Sequence, residues 1–170
     1  MDVLLILSRV LHVGLGVFWV GALVFNTAFL LPSMRDAGPD AAKVAAGLMK
    51  RRFMEVLPAA AGLTILSGLY LYWRLSGGFS VAYMTTRAGA AYALGGALAL
   101  VAFGFGVAVV RPAMLGAAAL TQAAMAGGGG ERDRMLAEAQ ALRVKAAAAG
   151  QLVAWLLVTT TIAMAVARYL

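Results

Sequence analysis

The only histidine in the chain, His12, lies inside an apolar stretch that reads Arg9-Val-Leu-His12-Val-Gly14-Leu-Gly16-Val-Phe-Trp19-Val-Gly21. An imidazole is costly in hydrocarbon and can ligate a metal, so a histidine in such a stretch is a candidate functional residue by default. At helical periodicity His12, Gly16, Trp19, Leu23 and Asn26 fall along one stripe, while Gly14 and Gly21 lie on another face. That stripe sets an imidazole in register with a glycine gap and an indole, which suits axial ligation of a haem. The other reading of the same imidazole is a hydrogen bond to a carbonyl or hydroxyl of a neighbouring helix.

A second group that could serve a ligand is the basic triplet Lys50-Arg51-Arg52, directly before Phe53-Met54-Glu55. Its ordinary role is to set topology and touch anionic lipid, and its functional role would be to hold haem propionates. Glu55 is expected to pair with Arg51 or Arg52, and Pro58 to kink its helix and free a carbonyl. Thr64, Ser67, Thr159, Thr160 and Thr161 read as interhelical contacts or back-bonds to their own helix. The stripe Gln151, Trp155, Thr159 reads as packing. The nine methionines show no dense clustering, which leaves little for copper. Absence of cysteine excludes disulfides and thiolate sites, and Gly127–Gly130 lacks the Lys-Ser/Thr of a phosphate loop.

These residues sit in a scaffold made for lipid. Of 170 residues 63% are hydrophobic and 12% charged, about half the charge of a soluble domain. The expectation is an all-α polytopic membrane protein of one domain, with four spans at about 3–31, 53–74, 87–110 and 146–168. Pro32 is expected to end the first. The second helix should begin near Asp40, the third should continue past Pro112 to about Ala126, and the fourth should start near Glu131. Residues 111–145 would then form a projecting helical hairpin that turns at Gly127–Gly130. No internal repeat is evident. Asp2 stands where a signal peptide would carry a basic residue, so no cleavable signal is expected.

Lys and Arg divide unequally between the two ends. Arg9, Arg74, Arg87 and Arg168 share the side of the termini, and the other ten basic residues lie in the two long connections. That asymmetry places the connections in the cytoplasm and both termini outside, as in a bacterial-type inner membrane. It also explains the net charge of +7 without nucleic-acid binding. Glycine and alanine recur in every span, as close helix packing in lipid requires.

The pattern His12-x6-Trp19-x-Gly21, then Leu31-Pro32, Met49-Lys50-Arg51-Arg52, Leu57-Pro58-Ala and Leu66-Ser-Gly68-Leu-Tyr70, carries a resemblance. Over about Leu5 to Trp73 the chain resembles the copper-resistance D-like and membrane protoporphyrinogen oxidase-like integral membrane families. The resemblance implies a four-helix bundle with b-type haem on the first-helix histidine. The chain departs from the oxidases in having no further histidine, so one protomer cannot supply bis-histidine ligation. Three functions follow in order. The first is haem binding in a redox role through His12, Gly16, Trp19 and the Lys50–Arg52 triplet. The second, nearly level, is a non-catalytic accessory or assembly subunit of a larger membrane complex or homo-oligomer, and the third is copper or small-solute transport.

Overall fold

The computed structural model describes residues 2–170, and every regular element in them is helical. Helix α1 (Val3–Phe25) is started by Asp2, whose carboxylate accepts from the Leu5 amide at 3.2 Å. The other oxygen of Asp2 pairs with Arg74 at 2.7 Å, which clamps the start of the first span to the end of the second.

Pro32 does not end the first helix. A π turn (Asn26–Leu30) follows α1 and leads into α2 (Leu31–Asp36), so the apolar helix continues for 34 residues, Val3–Asp36. Proline lacks an amide hydrogen and its ring crowds the carbonyl four residues back. In the π turn the bonding shifts by one residue, and the Leu31 amide donates to Asn26 O. The third helix repeats this device. Helix α6 (Arg87–Phe105) passes through a π turn (Gly106–Val110), where the Arg111 amide donates to Gly106 O, into α7 (Arg111–Ala126) with Pro112 in its first turn. Phe25, Ala28, Pro32 and Met34 have counterparts in Phe105, Ala108, Pro112 and Met114. The repeat escapes a reading of the sequence because the intervening residues differ.

The second span also departs from expectation. Instead of one helix from near Asp40 there are two, α3 (Ala41–Lys50) and α4 (Phe53–Leu75), separated at Arg52 in the left-handed region with φ 56°. A short α5 (Val81–Met84) precedes α6, which Thr86 caps by accepting from the Gly89 amide. Helix α8 (Gly129–Ala167) runs 39 residues, so the fourth helix extends well before its span, as expected, and begins two residues earlier than Glu131.

Helices α1 and α4 pack as one antiparallel hairpin, and α6 with α7 against α8 as another. All four long helices meet in a core of Trp19, Ala61, Ala99, Ala102, Val153 and Leu157. Alanine dominates because association in lipid relies on close backbone approach and van der Waals contact rather than on burial from water. Large apolar residues such as Val10, Val17 and Phe18 remain exposed on the outside. The bundle therefore contains four helices long and apolar enough to cross a membrane. At the end near the termini Tyr72 donates to Gly89 O at 3.0 Å and packs against Phe79 and Tyr83, which joins α4 to α6 through an aromatic layer.

Candidate functional site

His12 projects from α1 onto α4. Its Nδ1–H donates to Thr64 O at 2.8 Å. A carbonyl only accepts, so the proton of the neutral ring is on Nδ1 and the lone pair is on Nε2. Thr64 O also receives the Ser67 hydroxyl at 3.0 Å, while the Thr64 hydroxyl turns back to Ala60 O at 2.8 Å. Gly68 supplies the room for the ring. A Cβ at that position would lie 2.5 Å from His12 Cε1 and 2.8 Å from Nδ1. His12, Thr64 and Gly68 thus form a clasp between the first two spans.

The stripe His12, Gly16, Trp19 is the inward face of α1, but the space before it is filled. A Cβ on Gly16 would meet Thr64 Cγ2 at 3.5 Å, ordinary contact, so this glycine is packed. Trp19 is only 4% exposed and meets Phe103 edge to face at 6.5 Å between centroids. The glycine that makes the notch is on α4 and faces the imidazole. Within α1 alone Gly16 is the natural choice, and only the packing of α4 reveals Gly68.

The basic triplet is not brought to His12. Lys50, Arg51 and Arg52 are exposed at the end of the bundle formed by the long connections. Arg51 donates to Gly47 O at 3.3 Å, and Arg52 Nε donates to Glu55 Oε2 at 2.6 Å. From Arg52 to Thr64 the helical rise amounts to about 18 Å. The cation at the level of His12 is Arg9, three residues earlier on α1 and exposed.

Two polar features of the spans acquire definite roles. Pro58 has no amide hydrogen to offer Met54 O, and Arg111 Nε donates to that carbonyl from α7 at 3.4 Å. The threonines Thr27, Thr64, Thr159 and Thr161 bond the carbonyl four residues back, as expected of hydroxyls in apolar helices. The stripe Gln151, Trp155, Thr159 does not pack inward; all three are exposed, and Trp155 is 66% exposed. Gln151 and Trp155 line a groove of about 560 Å³ between α8 and the far half of the first helix, with Arg35 at its mouth.

Compared with known proteins, the chain matches no family model, no curated protein and no solved structure.

Proposed function

We propose that the protein is a non-catalytic integral membrane subunit that assembles with other transmembrane helices, with its long connections in the cytoplasm and its termini outside. The observation that carries this is the direction of its glycines. Gly14 and Gly21 on α1, Gly62 on α4, and Gly96 and Gly104 on α6 have no atom within 4 Å of where a Cβ would stand. Glycine costs a helix about 0.5–1 kcal/mol relative to alanine, so these positions weaken the helices and tighten no contact within the protomer. Small residues on an outer helix surface let a second backbone approach closely in lipid. Gly14 and Gly21, seven residues apart, share one such surface.

The test is the size of the particle released from membranes by mild detergent, for the wild type and for Gly14→Ile with Gly21→Ile. The substituted positions are open, so the protomer should keep its helicity and its thermal transition while the larger assembly is lost. A wild type that runs as a lone protomer, or an assembly indifferent to both substitutions, would refute this reading.

The hydrogen bond of His12 favours a second reading, b-type haem in a redox role, which the first-helix resemblance also suggests. Ligating histidines commonly donate their other N–H to a backbone carbonyl, as Nδ1 does here, and this fixes the ring with Nε2 as the ligand atom. The fit is limited to that one atom, since Thr64, Gly68 and Phe103 occupy the space beside the ring and Trp19. His12 would hold the haem, which supplies one-electron transfer when bound. Protein purified from haem-replete membranes should then show a Soret band that His12→Ala removes without loss of helicity. A colourless wild type sinks this second reading and leaves the first untouched.

A further inference from the structure

The groove between the first and last helices has the shape and polarity of a lipid site. One wall is the π turn and α2, through Thr27, Ala28 and Pro32; the other is α8, through Ala148, Gln151 and Trp155. Along α8 it extends from Val144 to Val158. That is about 21 Å of helix, which matches one leaflet, about 15 Å of hydrocarbon plus its headgroup layer. It therefore runs from the basic end of the bundle to the middle of the span.

The polar groups are placed in the order of an amphiphile. Arg35 stands at the mouth, exposed, and forms no ion pair or side-chain hydrogen bond with any described residue. Asp36 lies about 100° round the helix from Arg35, so it does not share the face that carries the guanidinium to the groove. Deeper in, the Gln151 amide is exposed among apolar side chains and forms no hydrogen bond with a described residue. An amide in hydrocarbon demands a partner. Below it the indole of Trp155 lies open on the wall, although its place in the span is far from the interface where tryptophan usually sits.

We propose that this groove binds one anionic phospholipid from the leaflet at the basic end of the bundle. Arg35 takes the phosphate, the glycerol backbone passes Ala148, the Gln151 amide donates to an ester carbonyl, and an acyl chain runs along Val24 and Ala154 to Trp155. Charge complementarity selects this occupant over a helix of another chain, because the open cation stands where headgroup phosphates lie. The small side chains Ala147 and Ala148 leave room for the glycerol backbone, and Ala28 and Ala154 for the methylenes beyond it.

The test is quenching of Trp155 fluorescence in phosphatidylcholine vesicles that contain phosphatidylglycerol with brominated chains, compared with brominated phosphatidylcholine. The Trp155 signal is the difference between wild type and Trp155→Phe. Brominated phosphatidylglycerol should quench it with about fivefold higher apparent affinity, the worth of one interfacial cation. Arg35→Gln, at an exposed position that leaves the bundle intact, should bring the two lipids to parity. Ala148→Phe should abolish the preference with Arg35 still present. Equal quenching by both lipids in the wild type would overturn the proposal, as would a preference that survives Arg35→Gln. Protection of Trp155 from both lipids would also overturn it, since a protein segment would then fill the groove.

Discussion

At the scale of single residues, the pairing of His12 with Gly68 decides what the imidazole can do. A methyl group at Gly68 would stand 2.5 Å from His12 Cε1, and the ring cannot withdraw without breaking its bond to Thr64 O. Gly68→Ala should therefore destabilise the protein by about 1–3 kcal/mol, the usual cost of overpacking. Gly62→Ala, on the same helix with open space before it, should be neutral or slightly stabilising. Thermal unfolding of both variants in detergent checks the contrast. The candidate site was legible only in part. His12 announces itself by chemistry, and its stripe with Gly16 and Trp19 is the inward face of α1. The identity of the glycine opposite could not be read, because contact between α1 and α4 joins residues more than fifty positions apart. The basic triplet shows the opposite error, since attractive chemistry in sequence lies about 18 Å of helix away from the ring.

At the scale of elements, proline and glycine were readable as local disturbances but not in their consequences. Pro32 reads as a stop because its ring and missing amide oppose an α-helical turn. The π turn before it lets the helix continue, and the same arrangement precedes Pro112. Arg52 shows the reverse, a residue with ordinary helix propensity that breaks a helix by adopting φ 56°. That conformation is strained for an arginine and suits glycine. Arg52→Gly should raise stability by up to about 1 kcal/mol, less whatever its exposed pair with Glu55 contributes, as read from unfolding midpoints. The neighbours Gly95 and Gly96 on α6 provide a second comparison. A Cβ on Gly95 would stand 2.9 Å from Met164 Cγ, whereas one on Gly96 meets nothing within 4 Å. Gly95→Ala should lower the unfolding temperature and Gly96→Ala should hold or raise it.

At the scale of the whole molecule, orientation and assembly are the properties to measure. The chain has no cysteine, so single substitutions give unambiguous labelling. If the proposed orientation holds, Ala126→Cys should react with an impermeant maleimide only after cells are opened. Ser80→Cys should react in intact cells. The reversed pattern would invert the orientation drawn from the lysines and arginines. By itself the sequence determined the all-helical class, the four apolar helices and the continuation of the third helix beyond Pro112. These depend on hydropathy and on periodicity within one segment, which neighbouring residues report directly. Only the tertiary structure decided that Gly68 rather than Gly16 receives His12, that Arg111 answers the carbonyl freed by Pro58, and that Gln151 and Trp155 face outward. Each of these depends on which face one apolar helix turns to another. Helices apolar on every side, held by small residues rather than by an amphipathic stripe, leave little trace of that choice in their sequence.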